Sequence, residues 1–352
     1  MIQSIQIGSH RIGPGNPVYV VAELSANHNQ DFDQAVRIIR AAKEAGADAV
    51  KLQTYTPDTI TIRSDQELFR INGNTLWDGR NLYDLYAEAC TPWEWQPKLK
   101  DIANELGLDL FSSAFDSTSV DFLESMNVPA HKVASFELVD IPLIEKMART
   151  GKPLILSTGM AALTEIQEAV DAARNSGASE IILLKCTSAY PAPADEMNLK
   201  TIPELAHRFS APAGLSDHSM GIAAPVAAVA LGACMIEKHL TLSRCEKGPD
   251  SAFSLEPEEF KAMVEAVRVA ERALGEVHFG AGAREAQSRA FRRSLFVVED
   301  VKVGEEFTSG NVRSIRPANG LHTRHLSDVL GKRAACDIHR GTPLSWELVL
   351  TK

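Results

Sequence analysis

The chain has 352 residues, 45% hydrophobic and 23% charged, an ordinary globular mixture longer than one core usually supports, so a large domain plus a small one is expected. A formal net charge of −10, with Lys and Arg scattered instead of striped, argues against nucleic acid as a partner but leaves an anionic small substrate open. No apolar run approaches the ~20 residues of a membrane span, and MIQSIQIGSHRIGPG lacks the features of a signal peptide, so a cytoplasmic protein with no membrane partner is expected.

Along the chain, short apolar strands alternate with amphipathic helices. Strands are predicted at 17–24 (PVYVVAEL), 48–54, 108–113, 131–136 (HKVASF), 153–158, 180–186, 212–216 and 233–239 (ACMIEKH). Most are continuous apolar runs, as in parallel strands buried on both faces. Helical periodicity occupies 31–45, closed by Gly46, then 117–126, 140–150, 163–176, 219–231 and 256–274. Eight such units within residues 1–275 match the ~250-residue scale of a TIM (β/α)8 barrel, an α/β fold. A doubly wound sheet is the rival, but ELSANH follows the first strand where that fold normally carries GxGxxG. Residues 276–289 (EVHFGAGAREAQSR) read as a linker, and 290–352 as a small, mostly β module with Gly-containing turns. The five cysteines are spread and contain no CxxC, so reduced, packed thiols are expected.

A TIM barrel builds its active site at the carboxyl ends of its strands. The polar residues predicted there are Glu23; Lys51 and Gln53; Ser112 and Ser113; Lys132, Ser135 and Glu137; Ser157 and Thr158; Lys185, Thr187 and Ser188; Ser216, Asp217 and His218; and Glu237, Lys238 and His239. So many hydroxyls and ammoniums at one mouth suit a substrate bearing phosphate and carboxylate together. Lys51 and Lys132 lie in apolar strands, where a lysine needs either a substrate anion or an ion pair with a carboxylate such as Glu23 or Glu137. His218 and His239 end successive strands ~5 Å apart, and are either joint ligands of one metal ion or two hydrogen-bonded histidines. His28, the cysteines and Trp77, Trp93 and Trp95 are assigned to structure and packing.

AELSANHNQ, DAVKLQTYTPDTI, LYDLYAEACTPWEW, HKVASFEL, LILSTGM, CTSAYPAP, GLSDHS, EKHLTL and GPDSAFSLEP, in that order across essentially the whole chain, resemble the sialic acid synthase family. RRSLFV and IRPANGL resemble that family's C-terminal antifreeze-protein-like (SAF) domain. KLQTYTPDT, TPWEW and ASFELVDIPLI are most similar to the pseudaminic acid synthase branch, although Ala114 stands where that branch usually has Pro. N-acetylneuraminate and legionaminate synthases, the alternative, more often read GSGE at the fourth strand and GPDH where this chain has Gly248, Pro249, Asp250 and Ser251.

The resemblance implies an enzyme that condenses phosphoenolpyruvate with 2,4-diacetamido-2,4,6-trideoxy-altrose, releasing phosphate by C–O cleavage. It implies phosphoenolpyruvate contacts from Lys51, Ser113, Lys132, Ser135, Ser157, Ser188 and Ser216, and a Mn²⁺ or Mg²⁺ ion on His218 and His239. Glu23, with Glu137 second, is implied as the proton-handling group, and Gln53, Tyr190 and Asp250 as sugar contacts. It further implies a domain-swapped homodimer, in which Arg316 and Phe291 of one chain lie over the sugar site of the other. A phosphoenolpyruvate aldol synthase acting on a phosphorylated sugar would not usually carry the β module. A carbohydrate-binding or antifreeze-type protein would leave the lysines and histidines of the barrel unexplained.

Overall fold

The computed structural model describes residues 2–73 and 75–350. The chain divides into two compact units, Met1–Gly275 and Glu276–Lys352. The first opens with an antiparallel hairpin, β1 (Ile5–Ile7) and β2 (His10–Ile12), whose isoleucines join the barrel core. At its tip His10 bonds Asp109, which also accepts from the Tyr19 hydroxyl at 2.8 Å, so the hairpin is fixed to the amino ends of two barrel strands.

The barrel strands are β3 (Tyr19–Glu23), β4 (Ala49–Thr54), β5 (Asp109–Ala114), β6 (His131–Val133), β7 (Leu154–Ser157), β8 (Ile181–Cys186), β9 (Ala213–Asp217) and β10 (Met235–His239). They close in chain order, every pair parallel, with β10 against β3. This is the expected TIM barrel, and each strand falls on its predicted segment. The register brings the functional candidates side by side. His239 pairs with Glu23, Glu23 with Lys51, Gln53 with Ser113, Ser113 with Lys132, and Glu237 with Ser216.

Several features differ from the sequence reading. The fourth barrel strand ends at Val133, and Ser135 and Glu137 stand on a 3-10 turn, Ser135–Val139, that follows it. That turn is closed by Asp140, whose side chain caps the next helix at Leu143. Helices Leu82–Ala89, Gln96–Glu105 and Thr201–Phe209 are additional to those predicted. The first two lie in a stretch broken by Pro57, Gly73, Gly79, Pro92 and Pro97, which masks the period. The helix predicted at 219–231 is shorter, Ala223–Ala230, since Gly221 has a positive φ of 79° just before it.

The second unit starts with short helical turns at Ala283–Ala286 and Gln287–Phe291, within and just past the stretch read as a linker. Strands β11 (Ser294–Val297) and β12 (Val312–Ile315) then pair antiparallel over a separate core that includes Leu295, Val301, Phe307 and Leu344. Among the described residues no helix is long and apolar enough to cross a membrane.

Gly214 in β9 shows how tightly the barrel wall is drawn. A Cβ there would sit 2.3 Å from the Met235 carbonyl oxygen and 2.9 Å from Leu184 Cδ2. Gly214→Ala is expected to cost about 1–3 kcal/mol, the usual penalty of overpacking, read as a fall in Tm. An unchanged Tm would show that the neighbouring strands give way freely.

Candidate active site

The carboxyl ends of the strands enclose a cavity of about 540 Å³, all of it lined by the first unit. Its polar floor is built by Lys51, Ser113, Lys132, Ser135, Ser157, Ser216, Glu23 and Glu237. Gln53, Tyr190, Asp250, Glu137, His218 and His239 also face it. Thus all but one of the barrel residues given a role by the resemblance line one space, whereas Ser112, Thr158, Lys185, Thr187, Asp217 and Lys238, nominated by position alone, do not. The exception, Ser188, is outside the lining: its hydroxyl and that of Ser135 converge where a Cβ on Gly159 would stand, at 2.3 and 2.6 Å. The Gly159 amide donates to Ser135 Oγ at 3.2 Å, so only glycine allows this small cradle of hydroxyls.

The two lysines realise different alternatives. Lys51 forms an ion pair with Glu23 at 2.7 Å, lies 3.6 Å from Glu237, and donates to Ser113 Oγ at 3.2 Å. Lys132 has no carboxylate within ion-pair range among the described residues. Its ammonium donates to Ser157 Oγ at 2.6 Å and to the Val133 carbonyl at 2.9 Å, with the residue only 1% exposed. Burial holds Lys132 below the ordinary lysine range, which nearby Glu237 only partly offsets. A buried cation without a counter-ion is costly unless an incoming anion completes it.

Two carboxylates share the Lys51 ammonium. Burial and the charge of Glu237 outweigh Lys51 and push Glu23 up to about 7, so it exchanges a proton near neutrality. Burial also opposes the Glu237 charge, but Lys51 and Lys132 outweigh it and hold that carboxyl below its usual range. Glu237 accepts from Ser216 Oγ at 3.0 Å through one oxygen, while the other is buried without a hydrogen-bond partner.

His218 and His239 stand with ring centroids 5.4 Å apart. His218 Nδ1 donates to the Thr187 carbonyl at 3.0 Å, which leaves Nε2 free to act as a ligand. His239 is held neutral, far below the ordinary imidazole range, by burial and the neighbouring cations, and its Nδ1 has no partner. Burial lowers His218, but the adjacent Cys186 and the Thr187 carbonyl outweigh it and leave its pKa raised. Its Nε2, where a metal competes with a proton, and the orphaned nitrogen of neutral His239 suit a divalent metal whose other positions go to substrate and solvent. Among the described residues no group of three or more His, Cys, Asp or Glu is gathered to hold a metal, so any ion here relies on this pair. Tyr190 packs on His218 at 4.4 Å and Phe253 on His239 at 5.0 Å, giving the imidazoles a largely apolar shell.

Among residues that sequence left to packing, two belong to the site. Cys186 lines the cavity 3.8 Å from His218 Nδ1; burial raises its thiol, but His218 outweighs that and brings it down to about 6. Trp77 stands in the cavity wall and donates to the Pro249 carbonyl at 2.9 Å. Glu237 was nominated by position without a role, and only the barrel register reveals its link to Lys51. Trp93, Trp95 and His28 pack as expected: His28 is buried against Trp95, and burial drops its pKa to about 4. Phe291 and Arg316 belong to the second unit, where both are exposed.

The segment after β10 brings Pro249, Asp250 and Phe253 to the cavity, with Asp250 accepting hydrogen bonds from Ser25 Oγ and the Ala26 amide. The excursion after β4 adds a wall that includes Ile60, Trp77 and Tyr86.

Residues 38–279 match the NeuB family, and residues 292–350 match the SAF domain. The chain is 47% identical to pseudaminic acid synthase of Helicobacter pylori, covering 94% of this chain and 97% of that protein. It is 45% identical to pseudaminic acid synthase of Campylobacter jejuni, covering 97% of this chain and 98% of that one. Among solved structures it is similar to the N-acetylneuraminic acid (sialic acid) synthetase of Leptospira borgpetersenii, with 33% identity, a TM-score of 0.72, and coverage of 82% of this chain and 95% of that chain.

Glu137 also faces the cavity, with one carboxyl oxygen buried and unpartnered. Burial pushes it from 4.5 up to about 7. The folded state therefore holds a proton that the unfolded state releases, and the contribution of Glu137 to stability falls as pH rises from about 4.5 to 7. Glu137→Gln is expected to flatten that part of the stability–pH curve, measured by urea unfolding across this range. An unchanged slope would place the carboxylate in contact with solvent.

Proposed function

The chain belongs to the NeuB family, and on that premise we propose that it is a pseudaminic acid synthase working in the cytoplasm. It joins phosphoenolpyruvate to 2,4-diacetamido-2,4,6-trideoxy-altrose. C3 of phosphoenolpyruvate attacks the sugar's aldehyde carbon, water adds at C2, and the tetrahedral intermediate expels phosphate as its C–O bond breaks. The observation that carries this reading is the identity of 45–47% with two pseudaminic acid synthases over nearly the whole chain. The geometry supports it through Lys132, a buried ammonium lacking the carboxylate partner that Lys51 has.

In this reading Lys51, Ser113, Lys132, Ser135, Ser157 and Ser216 hold phosphoenolpyruvate at the floor, with Ser188 beside Gly159 completing the hydroxyl cradle. Glu23, raised to about 7 beside Lys51, handles the proton of the addition, and Glu137 is the second candidate. Gln53, Tyr190 and Asp250 contact the sugar. His218 and His239 would hold Mn²⁺ or Mg²⁺, which when bound supplies a Lewis acid for the sugar's aldehyde oxygen. The apolar shell of Tyr190 and Phe253 keeps solvent from that pair.

The test is phosphate release from phosphoenolpyruvate with the altrose-configured sugar, the legionaminic precursor and N-acetylmannosamine, with mass spectrometry of the product. Turnover is expected with the first, abolished by chelator and restored by Mn²⁺ or Mg²⁺. Preferred turnover of either other sugar would make the chain a legionaminate or N-acetylneuraminate synthase instead.

The family resemblance also supports a domain-swapped homodimer, in which Arg316 and Phe291 reach the sugar site of the other chain. Mixing inactive Arg316→Ala and Lys132→Ala proteins under subunit exchange is expected to restore activity, because one site of each heterodimer then holds both wild-type residues. A mixture that stays inactive rules the swap out.

A further inference from the structure

The cavity is chemically two-sided. Its floor is charged and hydroxyl-rich, whereas the excursion after β4 presents Ile60, Ile71, Leu82, Leu85 and Tyr86 to the same space. Trp77 fastens this wall across the mouth, with its indole N–H on the Pro249 carbonyl at 2.9 Å and its ring edge against Tyr190 at 5.6 Å. Of the side-chain polar atoms in the described part of the wall, the Trp77 N–H is engaged by Pro249 and the Thr75 hydroxyl donates to Asp78 at 2.9 Å, while the Tyr86 hydroxyl is unbonded among the described residues. A hydroxyl pressed against the Ile60, Ile71, Leu82 and Leu85 side chains is stranded without a partner, while a methyl group there gains contact and loses nothing.

We propose that this wall, fastened by Trp77, is the specificity surface of the site, selecting a deoxygenated, methyl-bearing amino sugar over its hydroxylated counterpart. The inference rests on the functional reading above, in which the sugar carries a methyl at C6 and two acetamido methyls. It goes beyond that reading by assigning the choice of sugar to the excursion after β4, apart from the floor that holds phosphoenolpyruvate.

The experiment measures kcat/KM at saturating phosphoenolpyruvate for two sugars of one configuration, the 6-deoxy compound and its 6-hydroxy analogue. The wild type is expected to favour the deoxy sugar by about 10–100-fold, the range for a hydrophobic pocket meeting one added hydroxyl. An Ile60→Thr, Ile71→Thr double variant alters two half-buried positions outside the barrel core. It is expected to lose several-fold of that preference while KM for phosphoenolpyruvate stays unchanged. Trp77→Phe, which removes the N–H anchor and keeps a ring, is expected to raise KM for the sugar alone. Equal use of both sugars by the wild type overturns the inference without any variant. So does a double variant that turns over the deoxy sugar with undiminished preference. If the wild type uses neither of the pair but accepts N-acetylmannosamine, the functional reading fails and the inference falls with it, an outcome separate from the other two.

Discussion

Lys51 lies between two buried carboxylates, 2.7 Å from Glu23 and 3.6 Å from Glu237, and one ammonium cannot neutralise both. Without solvent to screen them, burial and the Glu237 charge raise Glu23, while Lys51 and Lys132 together overcome burial and hold Glu237 ionised. A proton entering the trio therefore goes to Glu23 more readily than to Glu237, in a pocket that also holds a second ammonium, Lys132, with no carboxylate in ion-pair range among the described residues. An arriving anion settles against Lys132 at no cost to any existing ion pair. The rest of the mouth, from the hydroxyl cradle to the imidazole pair, is arranged around this imbalance.

The barrel is what keeps such an unfavourable set of charges together. Each charged residue sits on a strand whose neighbours are held by backbone bonds on both sides, and the core beneath is continuous aliphatic packing. Gly214 and the fixed hairpin at the amino end show that the walls have little slack. Such rigidity lets the polar groups stay unpartnered in the resting molecule, with Glu237 and His239 each keeping a buried, unbonded atom.

Much of this was legible in the sequence for a physical reason. Parallel strands buried on both faces read as apolar runs, so Lys51, Lys132 and Glu23 stood out as polar intrusions at their ends. The fold then supplies the rule that those ends converge. What remained hidden was pairing across strands. Nothing local distinguishes Lys51, which has a carboxylate partner, from Lys132, which has none among the described residues; the difference arises because Glu23 pairs with Lys51 on the adjacent strand and Glu237 stands on the strand beyond it. Ser188 was placed with the other serines by strand order, yet its strand ends two residues earlier and its hydroxyl fills the space beside Gly159. Trp77 was assigned to packing because an isolated tryptophan in an aperiodic, glycine-broken stretch gives no sign of reaching Pro249 across the barrel mouth.

The excursion after β4 is a single connection between one strand and the next, inserted at the rim without altering the register beneath it. In evolutionary terms that makes it a separable cassette. Substitutions, insertions or wholesale replacement within 55–92 reshape one wall while the strands bearing the lysines, serines and histidines remain in place. A lineage could therefore drift from one sugar to another by changing a surface loop, with the inherited carbon–carbon bond-forming machinery left intact.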